Sequence, residues 1–146
     1  MPAMKLAVAL TSLSLLLSGC TSSPWKVSSK PTLQPVQHVC IQRNDKVSVS
    51  DFIPVLQERL ADHGIKSHLL TPDDPLPCQT TLTYTAVQYQ EIKKSLIYAR
   101  IHLQQNGQEV STGEYKYNGG WEDRWKSTTY KVNPIIDRML ASVRQG

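Results

Sequence analysis

Few side chains in this 146-residue sequence are of types that carry out chemistry, so their spacing decides what they can do. The three cysteines and four histidines form none of the familiar catalytic patterns. There is no paired-histidine zinc-protease motif, no CxxC, no GxSxG elbow and no glycine-rich phosphate loop. His63 and His68 straddle an expected helix end and strand start, which would bring two imidazoles toward one metal. Isolated histidines on such elements are mostly structural or solvated, and neither a metal nor a cofactor is expected. Asp73-Asp74 and Glu122-Asp123-Arg124 supply carboxylates. In polar loops such groups stay ionised and hydrated, without the burial that tunes a general acid. No catalytic residue is expected, and the chain reads as a non-enzyme.

Binding is better served than catalysis. Trp121, Glu122, Arg124 and Trp125 lie together in a stretch opened by Gly119-Gly120. Tryptophan buries a large area at low entropic cost, and it is enriched at binding hot spots. Two indoles four residues apart, flanked by charge, would grip a sugar, a peptide or a partner protein. The competing reading has either ring closing the open end of a small core.

Cys20 has a different chemistry. It follows LAVALTSLSLLL, residues 6 to 17, preceded by Lys5 and followed by Ser18-Gly19. Twelve apolar-rich residues are too few to span a bilayer, which takes about 20. A charge, a short oily run and small residues make a cleaved export signal. Leu17-Ser18-Gly19-Cys20 resembles the lipobox of bacterial lipoproteins, which implies a diacylglyceryl thioether on Cys20, cleavage before it and acylation of the new amino terminus. Two or more acyl chains anchor a protein stably where one does not. Residue 21 is Thr, not the Asp that retains many Gram-negative lipoproteins in the inner membrane. The expected address is therefore the outer membrane, facing the periplasm, with the lipid as the membrane contact.

Removing residues 1–19 leaves material for one compact domain. Of sixteen basic and twelve acidic side chains only Lys5 is lost with the leader, so the remaining net charge is mild. Nucleic-acid binding would call for a basic stripe; Lys93-Lys94 is the sole adjacent basic pair, and no nucleic-acid partner is expected. With Cys20 assigned to lipid, Cys40 and Cys78 remain as a pair in an exported protein, where oxidation is the rule. A bond across that interval would remove loop entropy worth roughly 4 kcal/mol. The alternative, that one of them is a catalytic thiol, lacks an assignable histidine partner.

These groups need elements to hold them. TSSPWKVSSKPTLQPV, residues 21 to 36, is rich in Ser, Thr and Pro, and residues 20–35 read as a tether. Trp25 within it would sit at the lipid headgroups or dangle. VQHVCIQ, 36 to 42, reads as the first strand. DFIPVLQERLADHG, 51 to 64, is a helix, with Asp51 as N-cap, Gly64 as its stop and Phe52, Val55, Leu56 and Leu60 as its stripe. Strands are expected at 65–70, 78–90, 95–104 and 108–117, and Ile97, Ala99, Ile101 and Leu103 share one face. Asn106-Gly107 is a two-residue hairpin turn. Plain register across it places Val110 beside Leu103 but turns Glu114 and Lys116 inward. A bulge near Gly113 would turn Tyr115 and Tyr117 inward instead. The last helix is expected from Asn133 as N-cap with Pro134 at N1. The order β-α-β-β-β-β-α implies an α+β sandwich: a mostly antiparallel sheet of about five strands with both helices on one face, over residues 36–146.

CQTTLTYTAVQYQ, YARIHL, NGQEVSTGEYKYNGG and KVNPIIDRML resemble a family of small Gram-negative outer-membrane lipoproteins without a settled function. The resemblance covers about half the mature chain. It implies a compact periplasmic α+β domain on a lipid tether and transfers no catalytic residue. The expected function is a non-enzymatic binding or accessory module of the cell envelope, with an envelope protein or glycan as partner. The alternative is a defence lipoprotein resembling lysozyme inhibitors. Those are all-β barrels, which the two helices oppose, and Ser111-Thr112-Gly113-Glu114-Tyr115 resembles their inhibitory loop only loosely.

Overall fold

The computed structural model describes residues 22–31, 34–74, 78–90 and 93–143. Its elements run β1 (Trp25–Ser29), β2 (His38–Ile41), α1 (Phe52–Asp62), β3 (Lys66–Leu69), β4 (Thr80–Tyr89), β5 (Ser95–Gln105), β6 (Gln108–Lys116) and α2 (Thr128–Val143). The strands form one sheet in the order β1-β6-β5-β4-β2-β3. The ladders β1·β6, β6·β5 and β5·β4 are antiparallel, while β2 pairs in parallel with both β3 and β4. The class is α+β with a mostly antiparallel sheet, and the strands number six rather than five.

Both helices cover the same face. Tyr84, Ile101, Gly113 and Val27 are register partners across four strands and so form one row. The α1 residue Phe52 stacks on Tyr84 with ring centroids 4.9 Å apart. The α2 residues Ile135 and Met139 press on Gly113, where a side-chain methyl would collide with Ile135 Cγ2. A strand glycine lets a second element approach this closely. Arg59 of α1 grips Asp137 of α2 with two hydrogen bonds of 2.7 Å each, joining the helices.

The helix stripes follow the sequence pattern. Phe52, Val55, Leu56 and Leu60 are buried in α1, and Ile135, Ile136, Met139, Leu140 and Val143 in α2. Gly64 (φ +73°) ends α1: its N–H bonds Ala61 C=O and the Ile65 N–H bonds Leu60 C=O, a Schellman pair. Asp51 stands at the N-cap of α1 as expected, but its side chain makes no capping hydrogen bond; its carboxylate accepts from Thr128 Oγ1 at the start of α2 instead.

Three expectations are corrected. Residues 25–29, placed in the tether, are strand β1 on the sheet edge. Trp25 does not dangle: its Nε1 donates to Lys131 C=O at 2.8 Å and its ring meets Tyr115 and Tyr130. Next, α2 begins five residues before Asn133, because Ser127 Oγ accepts the Tyr130 N–H and supplies an N-cap upstream of Pro134. Pro134 then lies inside the helix. Finally, β5 changes phase at Ile97. Val87 pairs with Tyr98 but Gln88 with Leu96, so Leu96 rather than Ile97 enters the core.

The hairpin conflict is resolved by a bulge at Val110 rather than at Gly113. Leu103 pairs with Ser111 and Gln104 with Glu109, which leaves Val110 extra. Asn106 (φ 52°) and Gly107 (φ 78°) supply the two positive φ angles of a type I′ turn. The shift sends Ser111, Gly113 and Tyr115 inward and leaves Glu114 and Lys116 on the open face. Tyr115 becomes fully buried.

Candidate functional site

The segment 117–127 joins β6 to α2 and carries the four residues singled out for binding. The structure separates them. Trp121 is 78% exposed and Glu122 is exposed beside it. Arg124 and Trp125 turn back toward the sheet and are half-buried. The Arg124 guanidinium lies 4.9 Å from the Tyr89 ring centroid and 4.9 Å from that of Trp125. Cation and rings thus form a tyrosine–arginine–tryptophan stack, an arrangement favoured by the negative ring faces and weak hydration of guanidinium.

The backbone of this turn is held from inside. The Arg124 carbonyl accepts from Lys131 Nζ at 3.0 Å and from Ser95 Oγ. Lys131 is wholly buried, and its other donors reach Ser95 Oγ and Leu96 C=O, each at 2.8 Å. Burial pushes the Lys131 amine down to about 8, a little offset by Asp123. Three neutral acceptors match three donors, which is what lets an ammonium sit this deep. Asp123 also accepts from Tyr130 Oη, and it is the first cause holding that phenol above its usual range.

Beside Arg124 opens a groove of about 460 Å³, lined by Tyr89, Ile97, Tyr98, Lys116 and Tyr117 with Arg124 itself. The β5 phase change makes it: by leaving the core face, Ile97 becomes part of the groove floor. Tyr98 donates to Glu114 at 3.0 Å, and its phenol is raised by burial and then by that carboxylate. Arg100 pairs with the same Glu114 at 3.4 Å. Trp125 also lines a neighbouring recess of about 420 Å³ with Lys93, Lys94 and Lys126. Among the described residues lining that recess the acid is Asp51, already engaged by Thr128. The region therefore offers flat aromatic faces ringed by five cations. Sequence reasoning singled out Arg124 and Trp125, took Lys93-Lys94 only as the absence of a basic stripe, and did not include Tyr89, Tyr98 and Tyr117, which stand on three separate segments.

The remaining candidates fall elsewhere. Cys20 lies outside the described residues. Cys40 and Cys78 are joined as a disulfide, their Cα atoms 6.2 Å apart. His63 and His68 are not brought together: His63 Nε2 lies 2.7 Å from Asp137 on α2, whereas His68 neighbours His38 and Cys40. Asp74 accepts the Thr71 N–H in a turn and lies 3.7 Å from His68. Ser111 and Tyr115 of the loosely inhibitor-like stretch are buried within β6. Among the described residues no helix is long and apolar enough to cross a membrane.

One mixed six-stranded sheet covered on a single face by two helices defines the class of architecture. No family model and no curated protein sequence matches the chain. Solved structures do. The PelC dodecamer from Paraburkholderia phytofirmans is similar with a TM-score of 0.56 and 12% identity, over 82% of this chain and 98% of that one. A variant of the same dodecamer in another crystal form gives 0.53 and 11%, over 82% and 95%. At such identity the likeness concerns the fold.

Proposed function

We propose that this protein is a lipid-anchored, non-enzymatic accessory module of the cell envelope that binds an acidic glycan in the groove beside Arg124. The observation that carries the reading is the groove itself: Tyr89, Tyr98 and Tyr117 with Arg124 and Lys116 on its rim. Sugar rings present flat C–H faces that lie on aromatic rings, and carboxylates on the chain pair with guanidinium and ammonium groups. Lys93, Lys94 and Lys126 extend the positive surface past Trp125. A concave, mostly apolar site with a few placed charges is the usual form of a ligand pocket.

The anchor rests on the Leu17–Cys20 lipobox, and the outer membrane on Thr21. An accessory role is consistent with the PelC-like fold, and PelC assembles as a dodecamer. Immobilised domain is the direct test. It should retain a uronic-acid polysaccharide, release it in high salt, and lose retention in Arg124→Ala and Tyr117→Ala. Retention unchanged in both variants would remove the groove from the account. Mass analysis of the mature protein tests the anchor: acyl chains on Cys20 are expected, and an unmodified chain would contradict it.

A further inference from the structure

On the face of the sheet away from the helices, four side chains converge at the β3–β2–β4 edge. Val39 and Ile41 of β2 point into the core, so the alternate residues His38 and Cys40 point away from it. Parallel register sets His68 of β3 directly beside Cys40, and the disulfide brings Cys78, just before β4, to the same spot. Ligand atoms of His38, Cys40 and Cys78 all lie within 4.8 Å of one another. Cys40 Sγ is 3.9 Å from His38 Nδ1 and 3.8 Å from His68 Nε2, and His68 Nδ1 is 3.0 Å from His38 Nε2.

We infer that, once the disulfide is reduced, His38, Cys40, His68 and Cys78 form a four-coordinate site for zinc or a similar divalent cation. Tetrahedral zinc takes Cys2His2 sets with bonds of about 2.3 Å to sulfur and about 2.0–2.1 Å to nitrogen, which places ligand atoms roughly 3.3–3.8 Å apart. Cys40 Sγ lies 3.9 Å from Nδ1 of each histidine, close to that spacing, while Cys78 lies within 4.8 Å of His38 and Cys40 and would have to part from Cys40 on reduction. Asp74 lies 3.7 Å from His68 Nε2, where a carboxylate would orient the ring and leave Nδ1 for the cation. While oxidised, the two sulfurs are tied to each other and are not thiolates.

The change of state balances with a dithiol as reductant. One reductant thiolate bonds the half-buried Cys78 sulfur and releases Cys40 as thiolate. The second reductant thiol then displaces Cys78 and closes the reductant's own disulfide. Two electrons and two protons pass to the protein, and cation binding releases the two thiol protons to solvent. One cross-link between β2 and the start of β4 is thereby exchanged for another that also includes β3.

The test uses the mature chain carrying Cys20→Ser, reduced by a water-soluble phosphine without oxygen and titrated with Co²⁺. One equivalent should give the visible bands of a tetrahedral thiolate site, and Zn²⁺ should bleach them. The oxidised protein should give none. His38→Ala and His68→Ala, which keep the disulfide for folding, should each weaken Co²⁺ binding about tenfold or more after reduction. If reduction unfolds the apo chain, Co²⁺ must restore its far-ultraviolet circular dichroism. Reduced protein without these bands, bands equal in oxidised protein, histidine variants that bind as wild type, or failure to refold would each overturn the inference.

Discussion

Lys131 Nζ donates to the Arg124 carbonyl at 3.0 Å, so a buried residue of α2 holds the turn that presents the groove's arginine. The amine has lost its water and has gained only neutral acceptors. Its position beneath Tyr115, 5.7 Å from the ring centroid, adds a weak attraction to the aromatic face. The core and the groove are thus joined through one side chain.

That burial makes stability depend on pH in a stated direction. The Lys131 amine is lowered from 10.5 to about 8 in the folded protein, so the unfolded chain holds more protons between these values. Stability should rise as pH goes from 8 toward 10, and Lys131→Met should flatten the rise. Above about 10 the raised phenols, Tyr115 foremost and Tyr98 with it, oppose it. Chemical denaturation across this range checks the difference, and equal slopes in both proteins would contradict it.

Gly113→Ala should be costly because the new methyl group meets Ile135 Cγ2 and Met139 Sδ, with the sheet backbone behind it. Overpacking of this kind costs about 1–3 kcal/mol. Thr112→Ala, on the opposite face of β6, should cost less than about 1 kcal/mol. Thermal melts of the two variants provide the comparison.

Both helices are joined by Asp137. The Arg59 hydrogen bonds hold its carboxyl below the usual 3.8, with burial opposing and His63 assisting. The stabilisation is complete above the unfolded value and is lost as pH falls through the depressed one. Asp137→Asn should cost about 1–2 kcal/mol at neutral pH, limited by solvent at this half-exposed rim, and should reduce acid sensitivity below pH about 4. Urea titrations at neutral and acid pH measure both effects.

Tyr115 Oη is buried and finds no hydrogen-bond partner among the described residues. Burial pushes its phenol up to about 12. Tyr115→Phe removes an unsatisfied hydroxyl and keeps the ring against Trp25, so it should be neutral or stabilising by about 1 kcal/mol. It should also soften the loss of stability above pH 10, because the unfolded phenol ionises before the folded one. A loss above about 1 kcal/mol at neutral pH would show that the hydroxyl is satisfied.

Features that depend on local pattern were legible in the sequence. The Phe52–Leu60 stripe, the Gly64 stop and the Asn106-Gly107 turn each need only a few neighbouring residues. The Cys40–Cys78 pair followed from expecting Cys20 to carry lipid. What escaped depends on distant partners. Strand β1 is five residues on an edge, and only Trp25 and Val27 pack against the core, so it lacks an apolar signal. Pro134 drew the start of α2 forward, while Ser127 gave the weaker and correct cap. A one-residue phase change at Ile97 and an extra residue at Val110 decide which side chains face outward. Tyr89, Tyr98 and Tyr117 meet only after those shifts, and His38 meets His68 only through parallel register.

The central claim is that the groove beside Arg124 is the binding surface. It is tested most directly by titrating isotope-labelled mature domain with a uronic-acid oligosaccharide and following backbone and arginine side-chain resonances. The account predicts saturable shifts confined to Tyr89, Ile97, Tyr98, Lys116, Tyr117 and the 121–126 turn, abolished in Arg124→Ala. Absence of shifts, or saturable shifts centred on another surface and unaffected by Arg124→Ala, would contradict it.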